Sequence, residues 1–253
     1  MKIAVLNQKG GVGKTTISVN LSYGLAKEGK RTLLIDLDPQ AHSTLIFSRN
    51  VPKQATIKEL FINRLLDLKK VIRPATLNKD PIEGLDIIGS NIHLAVTAEQ
   101  IISKVHREKL LDHHLQKLES QYDFIIIDCP PALNVLTVNA IYSADLILIP
   151  TLYSSYSLEG IADLFDSIAT VKESEKYKFC ILRNSLDSRN KRSNEFIEKN
   201  LKPYKEYILK TIIRKSEPIN QAQMNKEPVF SFDPNSHATE DFISLTKEII
   251  NYA

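Results

Sequence analysis

Apolar residues along the chain fall into short dense runs separated by longer stretches in which they recur every three or four positions. The runs KIAVLN (2–7), RTLLIDLD (31–38), LDIIGS (85–90), YDFIIIDCP (122–130), DLILIPT (145–151), YKFCILRN (177–184) and YILKTIIR (207–214) are rich in β-branched residues. Several are apolar on consecutive positions, as strands buried on both faces require. Between them the spacing predicts helices, among them residues 15–30, with Ile17, Leu21 and Leu25 four apart, and residues 157–171. Strands alternating with helices predict an α/β fold: a doubly wound, mostly parallel sheet flanked by helices in a single domain, 1–253. Ligands of such sheets bind beyond the carboxyl ends of the strands.

Composition narrows this reading. The 253 residues, 43% of them hydrophobic, suffice for a large core, and no Ser/Gly-rich run or fixed repeat marks a linker. The first apolar run follows Met1–Lys2 directly and is too short for a signal peptide, and no stretch approaches the roughly 18 apolar residues of a membrane span. A cytoplasmic protein is expected. Cys129 and Cys180 form no CxxC pair, so they read as buried thiols. The three histidines 106, 113 and 114 fall on one predicted helix without the i, i+4 pair a metal would want, and read as exposed. Charge is uneven. Residues 172–215 hold 13 Lys/Arg against 6 Asp/Glu, which suits a phosphate-bearing partner or a solvated basic face.

Three of the eight glycines, Gly10, Gly11 and Gly13, crowd into four positions of NQKGGVGKTT, between a predicted strand and a predicted helix. In that setting backbone N–H groups and a helix N-terminus cradle phosphate. Gly10, Gly11, Val12, Gly13 and Thr16 would line the cradle, Lys14 would reach the β- and γ-phosphates, and the Thr15 hydroxyl would ligate Mg²⁺. Against the pattern GxxxxGK[ST], Gln8 stands at the first glycine and Lys9 follows it.

The string KGGVGKTT resembles the deviant Walker A motif of the ParA/MinD (SIMIBI) P-loop ATPases. Together with LLIDLDPQA and FIIIDCPPAL the chain is similar to the ParA/Soj branch that partitions chromosomes and plasmids, with likeness running to PVFSFDPNSHATEDFISLTKEI near the C-terminus. The resemblance implies an ATP hydrolase with ATP and Mg²⁺ as cofactors, slow on its own and stimulated by a ParB-like centromere-binding partner and DNA. It implies that Lys9 crosses a nucleotide-sandwiched homodimer to the partner's phosphates; a solvated loop lysine, or one that contacts only its own nucleotide, is the alternative. Asp128 resembles a Walker B carboxylate that holds Mg²⁺. Asp38 is implied in hydrolysis, orienting water rather than abstracting a proton, with Asp36 nearer the metal; a loop-capping Asp38 is the alternative. Asn184 is implied at adenine, although Ile213 stands where the family commonly has proline.

The resemblance also implies sequence-independent DNA binding by the ATP dimer through basic residues: Arg189, Lys191, Arg192, Lys210, Arg214 and Lys215. Glu217 replaces an arginine common in the family after that run. No helix-turn-helix precedes the first strand, so operator binding is not expected. A nucleoid-associated protein without membrane attachment follows. The same motifs would serve a cargo-positioning ATPase or a MinD-like division-site ATPase, the latter requiring an amphipathic C-terminal helix. Two cysteines in unsuitable contexts argue against an iron–sulfur reductase component.

Overall fold

The computed structural model describes residues 1–48, 52, 54–153, 161–172 and 177–252. Its sheet contains eight strands among the described residues: β1 (Lys2–Val5), β2 (Thr32–Asp36), β3 (Ile72–Leu77), β4 (Asp80–Ile88), β5 (Phe124–Asp128), β6 (Leu146–Leu152), β7 (Phe179–Leu186) and β8 (Ile208–Arg214). They lie in the order β3-β4-β2-β5-β1-β6-β7-β8. All neighbours are parallel except β3 and β4. Each of the seven anticipated strands is present.

Alternation within the strands sorts side chains onto two faces. Ala4, Leu33, Ile35, Ile125, Ile127, Ile147 and Ile149 pack in one cluster beneath α3 (Lys58–Ile62), α4 (His93–Ile101), α5 (Leu110–Leu115), α6 (Val135–Ser143) and α7 (Ile161–Lys172). Ile3, Val5, Leu34, Ile126, Leu146 and Leu148 meet α1 (Lys14–Lys27), α2 (His42–Phe47), α9 (Glu217–Asn225), α10 (Val229–Phe232) and α11 (His237–Tyr252) on the other. A smaller cluster of Ile181, Ile197 and Leu201 seats α8 (Lys191–Leu201). Helix α1 starts within one residue of the expected 15–30 stretch and ends three residues short of it, at Lys27, before Gly29, whose φ of 74° turns the chain out of the helix. Of the expected helix over 157–171, residues 157–160 lie outside the described residues and the remainder is α7.

Two expectations are corrected. Strand β3 was absent from the periodicity because Pro74 interrupts it; the proline sits beside a register shift on the outer edge, where its missing N–H disturbs the ladder least. The opposite edge, β8, has its amides engaged by α11: the Glu248 carboxylate accepts from Lys210 N (2.6 Å) and Thr211 N (2.8 Å). The histidines do not share a helix. His106, at φ 55°, precedes a 3₁₀ turn, while His113 and His114 belong to α5 and His114 is fully buried, turned inward beside Leu111 and Leu115.

Candidate functional site

The glycine loop leaves β1 at the middle of the sheet and enters α1 at Gly13, which adopts φ 91°; Gly11 has φ 74°. Both values are in the left-handed region, where a side chain would be strained. Asn7 anchors the start of the loop: its Nδ2 donates to Pro150 O at the end of β6 (2.8 Å), and its Oδ1 accepts from Lys9 N (3.0 Å). Lys14 is buried, and its Nζ donates across the loop to Lys9 O at 2.9 Å. Burial pushes the Lys14 pKa down against the opposing pull of Asp128 and Asp38. The Lys9 side chain, half-buried, makes no ion pair among the described residues.

Strands β2 and β5 are neighbours and bring Asp36 and Asp128 into register, both with no exposed surface. Asp128 accepts from Ser43 Oγ (2.6 Å) and Ser18 Oγ (3.2 Å), and the Thr15 side chain stands near enough to favour its charged form. Asp36 accepts from Thr44 N (2.8 Å), Thr44 Oγ1 (2.6 Å) and Asp38 N (3.1 Å). Burial raises both carboxyl pKa values, and the neighbouring Asp128 raises that of Asp36 further. Both Asp36 oxygens thus bond within the protein, ordering α2 and the turn that carries Asp38.

The strand does not persist to Asp38. After Asp36 the chain turns, with Ala41 N donating to Asp38 O and Gln40 N to Asp38 Oδ1, both at 2.9 Å. Asp36 and Asp38 therefore do not share a strand face. Asp38 sits half-buried at the carboxyl end of the sheet, near enough to Lys14 and Asp128 to act electrostatically on both.

On the far side of the loop, Asn184 Nδ2 donates to Val12 O at 2.8 Å. A cleft of about 170 Å³ opens there, lined by residues including Gly11, Thr16, Asn184, Ile213, Ser216 and Gln223. Gln223 of α9 bonds to the Thr16 hydroxyl and so holds that helix against the start of α1.

The basic residues divide into two kinds. Arg189 is 82% exposed and forks onto Asp187 (2.9 and 2.7 Å), while Lys191 and Arg192 stand exposed at the start of α8, beyond the carboxyl end of β7. Lys210 and Lys215 are exposed. Arg214 instead is engaged by α11: Nη2 reaches Asp241 Oδ1 (2.6 Å) and His237 O (3.1 Å), and Nε reaches the same carboxylate at 3.0 Å. Its fork is bound within the fold.

Ser18, Ser43 and Thr44, the hydroxyls that hold the two buried aspartates, escaped the sequence reading. A faint signal existed: AHST follows LDPQ immediately, so two hydroxyls stand within one turn of the aspartate loop. Among the described residues no cluster of His, Cys, Asp and Glu is able to hold a metal ion by itself. Thr15 and Asp128 nonetheless converge as hard oxygen donors, the chemistry Mg²⁺ takes when phosphates and water complete its shell.

A family model described as an AAA domain matches residues 1–181. The sporulation initiation inhibitor protein Soj of Bacillus subtilis is 35% identical over 98% of this chain and 97% of its own length. The chromosome partitioning protein ParA of Myxococcus xanthus is 31% identical over 98% of this chain and 87% of its own. The solved structure of a putative plasmid partition protein from Borrelia burgdorferi, bound to AMPPNP, superposes with a TM-score of 0.84 at 25% identity, covering 100% of this chain and 99% of that one. With this likeness running from end to end over a sheet whose glycine loop and buried aspartates stand together, the chain belongs to the ParA/Soj family of P-loop ATPases.

Proposed function

We propose that the protein is a DNA-segregation ATPase in which 1–253 acts as one domain: ATP assembles a sandwich dimer that holds DNA without sequence preference, and hydrolysis, stimulated by a ParB-like partner, releases it. The observation that carries this reading is the convergence of Lys14, Thr15, Asp128 and Asp38 at one loop beside Lys9, whose side chain makes no ion pair among the described residues. The backbone of residues 10–13 and the first turn of α1, with Thr16, receive the phosphates. Lys14 exchanges its bond to Lys9 O for phosphate oxygens. Thr15 and Asp128 would hold Mg²⁺, with Asp36 behind them, and the ion would supply neutralisation of phosphate charge. Asp38 orients the attacking water, and Lys9 of each protomer offsets charge on the neighbour's triphosphate, as an arginine finger does. The base side falls to the cleft at Asn184.

Arg189, Lys191, Arg192 and Lys215 are the candidates for DNA; Arg214, committed to Asp241, is the weaker one. Affinity for a duplex falls with salt at a slope of about −0.9 per phosphate neutralised. A protomer with about three contacts therefore binds weakly, and a dimer with about six binds well. Dimerisation alone can then switch DNA attachment, which would place the protein on the nucleoid. The test is Asp38→Ala in ATP and Mg²⁺. A DNA-retained dimer with little turnover is expected, and its co-purifying protein identifies the partner; unimpaired turnover removes Asp38 from the chemistry.

A further inference from the structure

We infer that Asn184 is a positioning residue for the phosphate loop: its amide pins the Val12–Gly13 peptide so that the Gly13 N–H is presented to phosphate. This rests on the phosphate-binding reading above and concerns a different atom from any contact with the base. Asn184 lies at the carboxyl end of β7, in register with Leu152 of β6 and Ile213 of β8, so two flanking strands fix its backbone. Only 9% of the residue is exposed. From there it reaches a residue 172 positions earlier, with Nδ2 donating to Val12 O at 2.8 Å in a buried bond.

The consequence follows from peptide geometry. A trans peptide is planar with its C=O and N–H pointing in opposite directions. Holding the Val12 carbonyl toward β7 therefore turns the Gly13 N–H away from β7. Gly10 and Gly11 precede this peptide and Gly13 forms its second half. Glycines resist rotation of a peptide least, so a loop of this composition needs an external restraint to keep one orientation. Position 13 carries the mark of that restraint. A Cβ built there would stand 2.5 Å from Asn184 Nδ2, and its next nearest neighbour, Asn184 Cγ, is 3.7 Å away. The amide thus packs directly on the Gly13 backbone. Glycine is required at 13 for its φ of 91° and also for this approach.

The test uses tripolyphosphate, a ligand with phosphates and no base, beside ATP, each with Mg²⁺, titrated calorimetrically into Asn184→Leu and Asn184→Ala. Leucine keeps the branched shape and removes the donor without adding charge that would itself repel phosphate, and alanine removes the donor without adding bulk. Both variants are expected to lose affinity for the two ligands alike, by about ten-fold, the cost of leaving one buried carbonyl unpaired. In the ligand-free protein, the amide resonance of Gly13 should shift and its hydrogen exchange should quicken, while the melting transition stays cooperative. Loss for ATP with tripolyphosphate binding unchanged would assign Asn184 to the base alone and overturn the inference. An unaltered Gly13 amide in either variant would overturn it whatever the ligands do. If the wild type binds neither ligand while the Gly13 amide responds as stated, the phosphate-binding reading fails and the clamp stands.

Discussion

Thr44 Oγ1 donates to Asp36 Oδ2 at 2.6 Å and, in the same position, accepts the amide of Ser90 at 2.8 Å. One hydroxyl thus joins α2, the end of β2 and the segment after β4. Thr44→Val keeps the shape but leaves a buried carboxylate short of a donor and a buried amide without an acceptor. Equilibrium urea unfolding should show a loss of about 1–3 kcal/mol, the cost of unpaired buried polar groups. Thr44→Ser, which retains the hydroxyl, should recover most of it.

Lys9 tests the dimer cleanly because the loop uses only its backbone: Lys9 N bonds Asn7 and Lys9 O receives Lys14. Lys9→Ala removes neither bond. Nucleotide binding should survive while ATP-induced dimerisation, followed by light scattering, disappears. Full dimerisation of the variant would assign Lys9 to its own protomer's nucleotide.

Arg189 and Arg214 should separate by phenotype. Arg189→Glu breaks a pair whose guanidinium is 82% exposed and solvent-screened, so stability should change little while retention on DNA in ATP weakens and the salt slope falls by about one contact. Arg214→Ala leaves Asp241, whose side chain is 10% exposed, without its fork. A stability loss of about 1–3 kcal/mol in thermal or urea unfolding is expected, whatever happens to DNA binding. A destabilised Arg189 variant beside a fully stable Arg214 variant would reverse the assignment.

What was legible in the sequence depended on whether a feature leaves a local trace. Strands buried on both faces, such as FIII before Asp128, write themselves as unbroken apolar runs, and the glycine loop announces its backbone demand within four residues. The hydroxyls around the aspartates carry no such pattern, since Ser43 and Ser18 meet Asp128 across 85 and 110 residues of chain. Strand β3 was hidden by Pro74 and by an edge position that leaves it partly exposed. Arg214 looked like its basic neighbours because its partner Asp241 arrives from a helix 27 residues on. Asn184 was reached only through resemblance, and its bond to Val12 has no counterpart in composition or spacing.

His114 supplies a prediction about acid stability. The side chain has no exposed surface, and neither ring nitrogen has a hydrogen-bond partner among the described residues. Burial pulls its pKa down to about 4, and the nearby charges of Lys117 and His113 act the same way; the carbonyl groups of Leu60 and Asn63 oppose this weakly. The fold therefore accommodates the neutral ring, whereas the unfolded chain protonates it near the ordinary value of about 6.5. Above that value both states are neutral and the stability is complete. As pH falls through it the unfolded state takes up the proton first, so stability is lost progressively until the folded ring also protonates near about 4. Between about pH 7.5 and about pH 5 the loss from this one group comes to about 2 kcal/mol. His114→Leu removes the titrating ring. Urea unfolding of the wild type and the variant at both pH values should show the wild type falling more steeply by that difference, since the remaining carboxylates titrate equally in both. Parallel slopes would mean that the folded protein takes up the His114 proton as readily as the unfolded chain, and the burial argument would fail.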